Sequence, residues 1–153
     1  MNISGDIRVK TDQRYKNLYV ELKNFAVGDM HELFFLCSCL GYKAKKKKSF
    51  GSSGDERFWS RTITPDEYTC FCAMLLNDND IDLSVIKDDK HVIAEIEKYA
   101  NGGMEILIEE FLDDYLVKGS SELKLDSTSS KELPKALLYF IYEKLQQAED
   151  VKE

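Results

Sequence analysis

Glu97-Lys98-Tyr99-Ala100-Asn101-Gly102-Gly103-Met104-Glu105-Ile106-Leu107 decides how the chain divides into helices. A helix starting near Asp88 or Asp89 presents Val92, Ile93, Ile96 and Tyr99 on one face. Two adjacent glycines weaken a helix interior, so Asn101-Gly102-Gly103 is expected to break or kink it. Asn101 tolerates a left-handed turn and can close the helix before it. The helical period then resumes from Met104 to Leu116 through Ile106, Leu107, Glu110 and Phe111. Capping and packing are the favoured roles for Tyr99, Asn101, Gly102 and Gly103, with a partner-docking corner as the functional alternative.

The flanking segments supply the other elements. Asp29-Met30-His31-Glu32 follows a glycine and reads as a helix start, with Asp29 as cap and Glu32 closing a capping box. Met30, Leu33, Phe34, Cys37 and Leu40 form an apolar stripe, and Gly41 is expected to end the helix in a left-handed conformation. Thr64-Pro65-Asp66-Glu67 is a second, stronger start, leading to Tyr68, Phe71, Cys72 and Leu75 on one face and stopping at Asn77–Asp80. Tyr15, Leu18, Leu22 and Phe25 suit a helical face, while Ile7–Lys10 alternates like a short strand.

Lys43–Lys48 and then Ser49–Asp55, rich in glycine and serine, read as a flexible loop before a β-prone run, Phe58–Ile63. Leu83–Ile86 reads as a short extended piece, and Leu123 and Leu125 alternate within the polar stretch 119–130. Lys131–Gln147 is a last amphipathic helix with Leu133, Leu137, Phe140, Ile141 and Leu145 inward. An apolar stripe left exposed on it would suit dimerisation, and a buried one would complete the core. The expected fold is mainly α (α+β): a single compact domain over residues 1–153, with about five helices and a few short strands or a small hairpin.

Charge is distributed unevenly. The 153 residues carry a net −7, yet residues 1–50 hold 10 Lys and Arg against 5 Asp and Glu, and residues 51–153 hold 11 against 23. Such a chain is not basic enough overall for a typical nucleic-acid binder. No stretch matches an apolar membrane span, and Met1–Asp6 lacks a basic region followed by an apolar run, so a cytoplasmic protein is expected.

Candidate chemistry is sparse. Phosphate contact is assigned to Lys43, Lys45, Lys46, Lys47, Lys48, Arg57 and Arg61, with Trp59 placed to stack on a base. The competing reading is a solvated basic loop beside one aromatic at the edge of the core. Cys37/Cys39 and Cys70/Cys72 each stand two apart, about 200° around a helix, so neither pair shares a metal readily. All four are read as buried small apolar residues. His31 and His91 are read as surface residues. Glu105, Glu109, Glu110, Asp113 and Asp114 have the spacing of a solvated helix face rather than of a metal site. Neither a cofactor nor a catalytic group is assigned.

Three elements resemble the Dnd (DNA phosphorothioation) system-associated protein 4 family. The first is Phe34–Tyr42, a helix ending in Leu40-Gly41-Tyr42 and followed by a basic stretch. The second is the apolar helix Tyr68–Leu76 with an acidic break after it. The third, and most specific, is Glu97–Gly103 running into Met104-Glu105-Ile106-Leu107. The resemblance covers roughly residues 7–116 and leaves out the last helix. Lys98 stands where the family has an acidic residue, and some of the family's small alanines are here larger or cysteine.

The resemblance implies defence against foreign DNA alongside larger enzymes, and it carries over no catalytic residue. The expectation is a non-enzymatic accessory or adaptor protein, with proteins of a DNA-modification or restriction complex as partners and DNA as a further contact. The alternatives are a small metal-dependent nuclease or other enzyme, and an acidic decoy of a DNA-binding protein.

Overall fold

The computed structural model describes residues 2–50 and 54–152, with side chains up to residue 148. It is a mainly α domain with one two-stranded antiparallel sheet. Strand β1 (Arg8–Asp12) leads through a 3-10 turn into α1 (Lys16–Leu22), and a π-turn at Lys23–Val27 leads to α2 (Met30–Lys43). Strand β2 (Gly54–Trp59) precedes α3 (Pro65–Asp78), then α4 (Asp89–Glu110) and finally α5 (Leu133–Lys152). Among the described residues, no helix is long and apolar enough to cross a membrane.

Local chemistry explains the best-formed ends. Thr64 Oγ1 accepts from the Glu67 N–H at 3.1 Å, and the Glu67 carboxylate accepts from the Thr64 N–H at 2.9 Å. This is the capping box expected for α3, with Pro65 in the first turn. The sheet is not a hairpin, since α1 and α2 lie between its strands; Val9 faces Phe58 and both point into the core, while Arg8 faces Trp59 on the outer side. Phe34 stands edge-on to Phe58 (5.5 Å between centroids) and to Phe71 (5.8 Å), joining the sheet to α2 and α3.

The central contact of the fold is α2 against α4, and glycine makes it. Helix α4 runs unbroken through Asn101-Gly102-Gly103, so the expected break is absent. A Cβ on Gly103 would lie 1.6 Å from the Cys37 carbonyl oxygen of α2, and one on Gly41 would lie 2.0 Å from the Tyr99 carbonyl oxygen of α4. Here the two backbones touch directly. Each glycine costs the helix about 1 kcal/mol relative to alanine, and the contact it permits has no substitute.

Gly41 likewise does not end α2, which continues to Lys43. The left-handed residue is Lys45 (φ 53°). Its N–H donates to Tyr42 O at 3.1 Å, and the Lys46 N–H donates to Gly41 O at 2.9 Å, which together form a Schellman ending.

Four other expectations change. Asp29 is the N-cap of α2 but its side chain makes no cap hydrogen bond. Leu83–Ile86 is a 3-10 turn rather than extended. Phe25 and Leu145 face outward. The cysteines divide: Cys37 and Cys72 are buried, Cys39 is half-buried and Cys70 is exposed. Within the expected flexible loop, residues 51–53 lie outside the described residues, while Gly54 and Asp55 belong to β2.

Gly103→Ala should lower the unfolding free energy in urea by about 2 kcal/mol or more, because backbone has to move to admit the methyl. Glu109→Ala, on the exposed side of the same helix, should change it by no more than about 0.5 kcal/mol. A gain in stability for Gly103→Ala would contradict the contact.

Candidate functional site

The Glu97–Gly103 segment holds four other parts of the chain. The Glu97 carboxylate accepts from the Lys10 N–H of β1 at 2.7 Å. The Asn101 carbonyl oxygen accepts from the Asp12 N–H at 3.0 Å, and its amide donates to Lys48 O at 3.2 Å. A Cβ on Gly102 would lie 1.9 Å from Lys46 O, so this glycine admits the basic segment as Gly103 admits α2. The Tyr99 hydroxyl donates to Asp78 at the end of α3. Tyr99, Asn101, Gly102 and Gly103 are all buried, so the expected docking corner faces the chain's own segments.

The basic segment is strapped across α4, and its charges are met by α4 and by the helices beside it. The Lys48 N–H donates to Lys98 O at 3.0 Å. Lys46 and Lys48 both pair with Glu105, Lys46 at 2.9 Å. Lys47 pairs with Glu95 at 3.0 Å and Lys45 with Asp78 at 3.3 Å. The Lys43 ammonium donates to Lys144 O of α5 at 3.0 Å. Hydrogen bonds from Lys48 and Lys46 hold the Glu105 carboxyl below the usual carboxylate range, against the upward pull of burial. Exposed pairs of this kind each contribute at most about 1 kcal/mol. The strap is therefore held by its backbone contacts, and the pairs chiefly cancel its charge.

The other expected phosphate contacts separate. Arg57 is turned inward, its side chain 3% exposed, with bonds to Asp55 (2.7 Å), Thr11 Oγ1 (2.7 Å) and Asp12 O (2.9 Å). A guanidinium so engaged has no fork left for a phosphate. Trp59 is 39% exposed, with the Arg8 and Arg61 guanidinium carbons 4.6 and 5.0 Å from its ring centroid. Trp59 and Arg61 thus stay outward.

Polar groups also gather at one cleft. Lys47, Asp78, Asn79, His91, Glu95 and Tyr99 line a cavity of about 430 Å³. Lys47 pairs with Glu95 and Asp78 accepts from Tyr99, so the groups that face the cleft largely satisfy one another. His31 is half-buried rather than on the surface, with Nδ1 2.9 Å from the Glu67 carboxylate, and His91 is exposed.

Asp29, His31 and Glu32 place ligand atoms within 4.8 Å of one another. They sit on the first turn of α2, where the helix field opposes a cation. Among the described residues the acidic set Glu105–Asp114 forms no such group. Burial raises the thiol pKa of Cys37, pushes that of Cys39 up to about 11 and raises that of Cys72, which makes all three poor nucleophiles at neutral pH.

Sequence reasoning left open whether the apolar stripe of α5 stays exposed or completes the core, and the structure leaves part of it exposed. Leu138, Tyr139, Tyr142 and Leu145 of α5 are 68, 62, 60 and 60% exposed. Leu138 and Leu145 also line an apolar groove of about 550 Å³ between α5 and α2, walled by Phe35, Leu36, Cys39 and Ile141. The signal was present as an apolar period too wide for a single buried face.

Comparison with protein-family models, with curated proteins and with solved structures finds no match to this chain.

Glu97 provides a pH test of the buried cluster. Burial raises its carboxyl to about 7 from an ordinary 4.5, despite the opposing Lys10 N–H. A raised folded pKa favours the protonated native state, so this contribution is complete below about pH 4.5 and lost as pH rises through about 7. Glu97→Gln keeps the acceptor and removes the charge. It should match the native protein near pH 4.5 and become more stable by roughly 2 to 3 kcal/mol above pH 7, at 1.36 kcal/mol per unit. A pH-independent difference would show that Glu97 does not titrate in the fold.

Proposed function

We propose that this chain is a non-enzymatic accessory protein that binds other proteins. One observation carries the reading: the four large apolar side chains exposed side by side on α5, next to an apolar groove. Soluble monomers rarely expose contiguous apolar patches of this kind, and such patches mark interaction surfaces. Tyrosine suits such a surface, because its ring packs while its hydroxyl stays wet at the rim. The enzyme alternative loses support from the three raised cysteine thiols and from Glu105 being tied to Lys46 and Lys48.

The biological setting we propose is cytoplasmic antiviral defence linked to DNA phosphorothioation, on the resemblance of residues 7–116 to the Dnd system-associated protein 4 family. On this reading, that part of the chain builds the scaffold and α5 carries the partner surface.

A second reading, contact with nucleic acid, is favoured by the outward Trp59 with Arg8 and Arg61 beside its ring. The same surface would combine base stacking with phosphate neutralisation.

Affinity capture from nuclease-treated lysate of the source cells tests the first reading. Wild-type protein should retain discrete proteins that mass spectrometry identifies with DNA modification or restriction, and a Leu138→Glu/Tyr142→Glu variant should lose them. Recovery of nothing beyond control would overturn it. The second reading has its own probe, since Trp59 is the only tryptophan of the chain. Single-stranded oligonucleotides should quench its fluorescence, with affinity falling steeply as salt rises. Unchanged fluorescence would remove that reading and leave the first standing.

A further inference from the structure

Helices α3 and α4 and the lysine strap together wall the polar cleft of about 430 Å³. Helix α3 ends on it with Asp78 and Asn79. Helix α4 lends His91, Glu95 and Tyr99, which stand four residues apart and so share one face. The strap lends Lys47. The volume falls within the range of small-molecule sites, about 300 to 1,000 Å³.

The pairs in the wall hold these groups in place without exhausting them. Glu95 takes Lys47 on one oxygen at 3.0 Å and Lys98 on the other at 2.9 Å. Asp78 takes Lys45 on one oxygen at 3.3 Å and the Tyr99 hydroxyl on the other. Each carboxylate oxygen keeps a second lone pair, and the Lys47 ammonium has further N–H donors beyond the one that Glu95 accepts. Asn79 Nδ2 donates to Leu75 O at 2.8 Å, which fixes the amide and leaves its carbonyl oxygen as an acceptor. His91 is exposed, and among the described residues neither of its ring nitrogens is hydrogen-bonded.

Charge selects the class of ligand. An anion entering the cleft would meet both carboxylates. A cation would have to displace ammonium groups already seated on them. A neutral hydroxyl meets neither obstacle, because it donates to a carboxylate and accepts from an ammonium at the same time. Several hydroxyls on one small frame would use the donors and acceptors that stand side by side here.

We propose that this cleft binds a small neutral polyhydroxylated molecule, a sugar in its chemistry. Glu95 and Asp78 accept from its hydroxyls, Lys47 donates to one, and exposed His91 and Asn79 complete the contacts at the rim. Each bond made here replaces one to water, so the net gain per bond is modest. A dissociation constant of about 1 mM to 10 mM is expected.

The test is proton NMR on the purified full chain at fixed pH. His31 and His91 are the only histidines, and His91→Ala assigns their imidazole resonances. D-Glucose and D-ribose are titrated separately to about 100 mM, a range that spans millimolar binding. The His91 resonance should shift to saturation with at least one of them. The His31 resonance should stay in place, since that ring lies against Glu67 outside the cleft. Asn79→Ala should weaken binding at least about threefold and Glu95→Gln at least about tenfold, both with an unchanged circular dichroism spectrum.

A His91 resonance that neither sugar moves overturns the site. So does a drift without saturation, or an equal shift of His31, because either would be a bulk effect of the sugar on the solvent. Wild-type affinity in both Asn79→Ala and Glu95→Gln would place the sugar elsewhere and also overturn it. Saturable shifts with sodium phosphate or tetramethylammonium chloride, and none with the sugars, would make the cleft an ion site and contradict the charge argument.

Discussion

The structure depends on one close approach, the backbone of α2 against the backbone of α4. Cβ atoms normally keep helices apart, and at Gly41 and Gly103 no Cβ intervenes. Ala100 and the Ser38 side chain, which donates to Phe34 O at 2.7 Å, are fully buried and keep the surrounding seam narrow. Close-packed interiors have little room to absorb an added methyl. The contact is therefore a constraint on sequence more than a source of energy: without it α2 and α4 cannot sit at this distance.

The rest of the domain is arranged around α4 as a consequence. With α2 so close, the chain leaving α2 must cross α4 within one turn, and Gly102 gives it passage. Glu97 and Asn101 supply side-chain acceptors to the Lys10 and Asp12 amides of β1. Those hydrogen bonds matter because an unmet buried amide costs about 1 to 3 kcal/mol. The lysine strap then lies over Glu95 and Glu105, so that carboxylates of the acidic second part of the chain meet most of the positive charge of the first.

Much of this architecture was legible in the sequence. The capping box at Thr64, the apolar stripe of α2 and the alternating start of β1 depend on neighbours within a turn or two, and the sequence reading placed them. Gly41 and Gly103 misled because glycine serves two opposite ends, stopping a helix or letting another helix approach. Only the residue across the interface distinguishes these uses, and it lies about 60 positions away. The lysine run misled for the same reason, since Asp78, Glu95 and Glu105 lie far along the chain. For α5, periodicity identified Leu133, Leu137 and Phe140 but assigned Leu145 to the same face. The groove beside α2 could not be read at all, because it is made by two helices about 100 residues apart.

The division of labour is then clear: a scaffold locked around the α2–α4 seam and a last helix that presents its outer face. The seam requires α4 to be one rigid helix through its glycines. Native-state hydrogen exchange at single-residue resolution measures this directly. The amides of Gly102, Gly103 and Met104 should exchange as slowly as those of Ile96 and Tyr99, through global unfolding alone. Fast exchange confined to Gly102–Met104 would mean that the helix opens at the glycines, and would contradict the account.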